Sequence, residues 1–135
     1  MRSFRIEIRP TKEQLQLIQQ SCGVSRFAYN WMLGKKIAER AALESLAKMW
    51  DLDKVPNIHG TFFDWNKEWV IYKKNISWIT DVSKCCGQMA LKDLETAFKR
   101  FFAKKSKFPK KKKKGQKDSF RVDGFVFVDF NTIQI

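Results

Sequence analysis

The chain has 135 residues, 44% of them hydrophobic with 12 Phe and 5 Trp, and a formal net charge of +13. That apolar content supports a packed core and excludes wholesale disorder, and no run approaches the roughly 18 to 20 apolar residues of a membrane span. The charged alternation around Arg2, Ser3, Phe4 and Arg5 is unlike a secretory signal, and the three cysteines, with Cys85 and Cys86 adjacent and His59 the single histidine, lack any zinc spacing, so the expectation is a cytoplasmic protein with reduced thiols, no metal and no cofactor.

In residues 3–9, Phe4, Ile6 and Ile8 alternate with Arg5, Glu7 and Arg9, the period of a half-buried strand, which Pro10 ends. Thr11 stands three residues before Gln14, a capping-box spacing that opens a helix. Leu15, Ile18 and Cys22 give it an apolar stripe, and Gly23 is expected to stop it. A second helix is expected from near Ser25, with Phe27 and Trp31, and Ala28 and Met32, each four apart. Ala38, Ala42, Leu46, Met49 and Trp50 keep the helical spacing, and Lys35, Lys36, Glu39 and Arg40 occupy the opposite side. Asp51, Asp53, Pro56, Asn57 and Gly60 make a loop composition. Thr61 with Asp64 predicts the start of a third helix with a buried stripe of Phe62, Trp65, Trp69 and Tyr72. A fourth begins near Thr80 or Asp81, where Val82, Cys86, Ala90, Leu94, Phe98 and Phe102 recur every four residues, widened by Ala97 and Phe101. Its other face reads Lys84, Gln88, Lys92, Glu95 and Lys99, of which four can donate hydrogen bonds to phosphates or base edges.

The positive charge is concentrated rather than spread. Residues 1–103 carry a net +6, residues 104–117 carry nine lysines and no acid, and residues 118–135 carry −2. Such a block repels itself when free and gains by displacing counterions from phosphates. A solvated tail would hold the same lysines, but this block joins two patterned segments, which favours a polyanionic partner. Pro109 blocks helix continuation. Ser119 to Val122 begin a strand, Asp123-Gly124 is a turn signal, Phe125, Phe127 and Phe130 suggest a further strand, and Ile133 to Ile135 start one more. A sequence that stops inside a starting strand reads as interrupted, with an edge that would want pairing.

Several of these patterns stand in the order of a known family. They are Arg9-Pro10-Thr11-Lys12-Glu13-Gln14, Cys22-Gly23-Val24-Ser25-Arg26-Phe27-Ala28-Tyr29-Asn30-Trp31, Trp78-Ile79 leading into Leu91 to Phe102, and Phe108-Pro109-Lys110 followed by Asp118-Ser119-Phe120-Arg121. Over essentially the whole chain they resemble the N-terminal region of the TnpB family, transposon-encoded RNA-guided nucleases with a helix-turn-helix domain, related to the type V CRISPR effectors. The resemblance implies DNA and a transposon-derived guide RNA as partners. It implies an α+β, mainly α fold, in which a bundle of about four helices is inserted between strands of an incomplete small β-barrel. Residues 1–9 and 118–135 would be the partial wedge-like barrel, 10–103 the helical recognition domain and 104–117 a lysine-rich linker. It also implies that the DNA motif beside the target is read partly by a Lys and a Gln one turn apart, positions held here by Lys84 and Gln88 on alignment at Trp78. The neighbouring aromatic of some members is Cys85 in this sequence, a departure at the stacking position. The family's RuvC-like nuclease and zinc-binding insert lie C-terminal to the stretch that matches, and no Asp or Glu here carries over to the three metal-binding carboxylates. Catalysis by this chain alone is therefore not expected.

The expected function is nucleic-acid binding. Lys104, Lys105, Lys107, Lys110, Lys111, Lys112, Lys113 and Lys114 would contact phosphates, Lys84 and Gln88 would read bases or a groove, and Lys92 and Lys99 would extend that face. Phe27, Trp31, Trp65, Trp69, Leu94, Phe98 and Phe101 are assigned to the core by their helical spacing. Two alternatives stand beside this reading: a recognition subunit for a nuclease supplied in trans, and a repressor-like or decayed DNA-binding remnant. No membrane association is expected.

Overall fold

A computed structural model of the chain describes residues 3, 5–54, 60–122, 124, 126–129 and 132–134, the last two stretches by backbone alone. In chain order the elements are α1 (Lys12–Met49), α2 (Phe62–Lys73), α3 (Ser77–Thr80), α4 (Lys84–Phe102), β1 (Val126–Asp129) and β2 (Thr132–Gln134).

The capping box forms as the spacing predicts: the Gln14 amide donates to Thr11 Oγ1 at 3.3 Å, and the Thr11 amide donates to Gln14 Oε1 at 2.9 Å. Gly23 does not stop the helix. A single α1 of 38 residues runs through it, about 57 Å at the usual rise per residue. Glycine inside a helix costs about 1 kcal/mol relative to alanine. Ser21, Val24, Ser25 and Ala28 around it are all buried, and that packing outweighs the local preference. The distal part of α1 is different, since Leu46, Met49 and Trp50 are exposed there.

In α2, the Thr61 amide and hydroxyl both donate to Asp64 Oδ2, at 3.1 and 2.8 Å. Trp65 and Trp69 are buried as expected, whereas Tyr72 is 41% exposed, because it stands in the last turn of α2. The fourth predicted helix starts later than Thr80 or Asp81. Residues 77–80 form the separate short α3, which buries Ile79, and Ser83 caps α4 by accepting from the Cys85 amide. Helix α4 ends in a Schellman motif: the Lys105 amide donates to the Arg100 carbonyl and the Lys104 amide to the Phe101 carbonyl, both at 2.9 Å. Lys104, not glycine, takes the left-handed position at φ +59°.

The core joins Val24, Ala28, Met32 and Leu33 of α1, the two indoles of α2, Ile79, and Cys86, Ala90, Leu91 and Leu94 of α4. Helix α2 approaches α4 closely at one point. A Cβ built on Gly87 would fall 2.5 Å from Trp69 Nε1 and 2.8 Å from the ring carbons.

The expected incomplete β-barrel is absent among the described residues. They hold four helices and one antiparallel two-stranded hairpin, with Phe127 opposite Ile133 and Val126 opposite Gln134. Residues 3 and 5–9 form no strand, and Ile6 and Ile8 stand exposed. Residues 119–122 also form no strand, and Phe120 and Val122 pack against the helical core instead. An alternating pattern yields a strand only where a neighbouring strand takes up its backbone groups, and closing a barrel needs several such neighbours. The expectations at Phe4, Pro56, Asn57, His59, Asp123, Phe125, Phe130 and Ile135 lie outside the described residues.

Gly87→Ala is expected to destabilise the bundle by about 1 to 3 kcal/mol, because a buried indole would have to move to admit a methyl group. Urea unfolding would read this as a lower midpoint at unchanged slope. An unchanged midpoint would mean that Trp69 yields freely.

Candidate nucleic-acid interface

Residues 104–122 form a strap that leaves the end of α4 and returns along α1. Its first anchor is aromatic. Phe108 stands edge-on to Phe98 and Phe101, with ring centroids 5.7 and 5.2 Å away, and Pro109 beside it is buried. Its second anchor is Asn30 of α1. That side chain accepts from the Lys112 amide at 2.7 Å and donates to the Lys112 carbonyl at 2.8 Å. The paired bonds imitate a strand ladder and pin the middle of the lysine run. The Lys112 ammonium lies 4.4 Å above the Tyr29 ring, a cation–π contact. Burial, and after it the nearby Asp93 carboxylate, push the Tyr29 phenol above its ordinary pKa.

Two ion pairs hold the remainder. Arg26 of α1 bonds Asp118 at 2.8 Å, and the other Asp118 oxygen accepts from the Gly115 amide at 3.0 Å. Gly115 is at φ +79°, a left-handed turn that glycine adopts without strain. Arg121 bonds Asp93 of α4 at 2.7 Å. With those anchors in place, Lys104, Lys105, Lys107 and Lys110 to Lys114 are all exposed. None of these eight has an acidic partner among the described residues.

The α4 candidates form a second group. Lys84, Lys92 and Lys99 are exposed and Gln88 is half-buried, with half-buried Cys85 beside them. Lys99 pairs with Glu95 at 3.1 Å. Burial pushes the Glu95 carboxyl up, but the Phe62 amide and Lys99 outweigh it and hold the pKa below its ordinary value. Glu95 thus ties this flank of α4 to the start of α2 through a 3.1 Å bond from the Phe62 amide. Asp93, which receives the strap, lies five residues after Gln88, about 140° further round the helix. The candidate residues therefore occupy two faces: strap lysines over α1, and Lys84 with Gln88 on the α2 flank of α4.

Of the aromatics assigned to the core, Trp65, Trp69 and Leu94 beside them are buried, whereas Phe27, Trp31, Phe98 and Phe101 are only half-buried. Sequence reasoning assigned no role to Arg26, Tyr29, Asn30, Asp93, Asp118 and Arg121. Asn30 and Lys112 are 82 residues apart, so no local spacing could signal their pairing. The three cysteines are free, and burial raises the pKa of Cys86 and of Cys22. Among the described residues no three His, Cys, Asp or Glu side chains converge as a metal site, and no helix is long and apolar enough to cross a membrane.

Comparison with known proteins places the chain in a family. A family model described as a helix-turn-helix domain, of the OrfB type, matches residues 1–43. In the structure that stretch contains most of α1, without a turn at Gly23. The chain is 31% identical, over 96% of its length, to InsQ of Escherichia coli (strain K12), described as a candidate RNA-guided DNA endonuclease. It is 30% identical, over 82% of its length, to a protein of Streptomyces pristinaespiralis with the same description. It spans 29% and 25% of these two relatives, less than a third of either. Matching relatives of this kind along nearly its whole length, and the helix-turn-helix model at its start, the chain belongs to the TnpB family and corresponds to that family's N-terminal region.

Proposed function

We propose that this chain binds nucleic acid as the recognition region of a TnpB-type protein, with DNA and a transposon-derived guide RNA as its partners and no bond cleavage of its own. The reading rests on one observation: the strap is fastened by Asn30, Arg26 and Asp93, so its lysines stand exposed against α1, without an acidic partner among the described residues. A cationic row fixed in this way loses less conformational freedom on meeting phosphates than a free tail does. Lys104, Lys105, Lys107 and Lys110 to Lys114 supply phosphate contacts that fix position without reading sequence. Lys84 and Gln88 read the DNA motif from the other face, and Lys92 and Lys99 follow the backbone there.

Affinity for duplex DNA should fall with salt, with a log–log slope of roughly −0.9 per phosphate neutralised. Replacing four of Lys110 to Lys114 by glutamine should flatten that slope by roughly 0.9 for each lysine lost. A slope indifferent to those changes would remove the strap from the interface.

Gln88→Ala should change preference among motif sequences by about 1 to 3 kcal/mol while total affinity for mixed sequence stays nearly constant. The lysine replacements should do the reverse, as a binding selection from a randomised duplex would show. Equal effects from the two variants would undo the division of roles.

Asn30→Ala should release the middle of the strap. Hydrogen exchange at the Lys112 amide should accelerate by roughly 10-fold, as expected for about 1.4 kcal/mol of lost protection. Unchanged exchange would show that the aromatic and ionic anchors hold the strap unaided.

A further inference from the structure

Between α1, α2 and α3 lies an open cleft of about 570 Å³, within the roughly 300 to 1,000 Å³ common for small-molecule sites. Its walls are Phe27 and Trp31 of α1, Tyr72 of α2 and Trp78 of α3, and Arg26 and Asn30 also line it. Tyr72 and Trp78 are 41% and 42% exposed, so these rings are not spare core.

The rings are fixed. Phe27 meets Trp78 edge-on at 5.2 Å and stacks with Tyr72 at 6.1 Å, and Trp31 lies 4.9 Å from Tyr72. The Trp78 carbonyl accepts from Gln20 Nε2 at 3.0 Å, which ties α3 to α1. Two ion pairs, Arg26 with Asp118 and Lys35 with Glu68, and the strap border the cleft. Lys35 Nζ stands 4.9 Å from the Trp31 ring centroid, and Asn30, while lining the cleft, grips Lys112 of the strap. The two carboxylates bonded to its cations, Asp118 on Arg26 and Glu68 on Lys35, are each already paired. Aromatic faces beside a row of exposed lysines, which have no acidic partner among the described residues, are the arrangement by which proteins hold single strands, with the bases stacked and the phosphates on the cations. The Asn30 amide is committed to Lys112 and the Arg26 guanidinium to Asp118, and stacking tolerates any base.

We propose that this cleft is a base-stacking subsite, which takes an unpaired nucleobase from a single strand whose phosphates run along the strap lysines. It rests on the reading of the strap as a polyanion site and adds a requirement for bases that charge alone does not impose. A paired duplex does not present such a base without unstacking it.

The test compares a short oligothymidylate, an oligouridylate and an abasic oligomer of equal length and charge, by fluorescence anisotropy at one salt concentration. The base-bearing strands should bind the whole chain roughly 5- to 100-fold more tightly than the abasic one, the gain a stacked base supplies. Trp78→Ala should abolish that gap and leave abasic binding as it was. Tyr72→Leu, at the opposite wall, should do the same and decides the matter if the first variant fails to fold. A larger gap with uridylate assigns the subsite to RNA, and a larger gap with thymidylate assigns it to DNA; either supports it. Equal binding of abasic and base-bearing strands, or equal losses for both in the variants, overturns the subsite alone. A proline-rich peptide that binds through Trp78, with no base-dependent gap, overturns it in favour of a protein ligand. Failure to bind any of the oligomers overturns the strap reading, and the subsite with it.

Discussion

The seam between α1 and α4 is lined by small side chains, and the rest of the molecule is positioned by it. Ser21, Ser25 and Ala28 on one helix and Cys86 and Ala90 on the other are all buried. Small residues let helix backbones come close, so that the larger Val24, Met32, Leu91 and Leu94 interlock around them. Removing Gly23 as a helix stop is part of the same constraint. A break there would separate Ser21 from Val24 and Ser25, which the seam needs in register. The glycine at 87 meets the opposite demand, from α2, whose Trp69 indole lies where any side chain would be.

The seam also provides the bed for the strap. Asn30 and Arg26 lie one turn apart on α1, and Asp93 faces the same groove from α4, so three short polar contacts can hold a segment that has no regular secondary structure. The anchoring groups are amides, two carboxylates and two guanidinium groups; among the lysine side chains Lys112 adds its contact with the Tyr29 ring. Asn30, Phe108 and the two arginines do most of the fastening while the lysine side chains stay exposed, which keeps a self-repelling block in place without pairing it with carboxylates of the described residues. Exposed ion pairs contribute little to stability one at a time, so the strap depends on the Phe108 wedge and the Asn30 pair at least as much as on its charges.

The matched family stretch carries a helix-turn-helix description, and in this structure residues 12–43 of it lie in one continuous α1. The continuity of α1 has a local physical origin. Gly23 weakens a helix by about 1 kcal/mol, while the buried faces before and after it share one partner helix. Where one partner covers both sides of a weak point, burial favours a straight rod.

The sequence by itself determined the capping boxes at Thr11 and Thr61, the buried four-residue rhythm of α4 from Cys86 to Leu94 and the lysine block, because each is set by neighbours within a few positions; the expected stripe fades beyond Leu94, where Phe98 is half-buried and Phe102 exposed. It also carried the family, through blocks kept in order along the chain. Tertiary structure alone decided the rest. It took Gly23 into a helix and denied strands to residues 5–9 and 119–122, since a strand exists only when a second chain segment accepts its hydrogen bonds. It turned Tyr72 from an expected core residue into the wall of a cleft, because α2 runs past the end of its packing surface there. It also set the lysines over α1 while Lys84 and Gln88 look out beside α2, an outcome fixed by Asn30–Lys112 and Asp93–Arg121, pairs too distant in sequence for any periodicity to reveal.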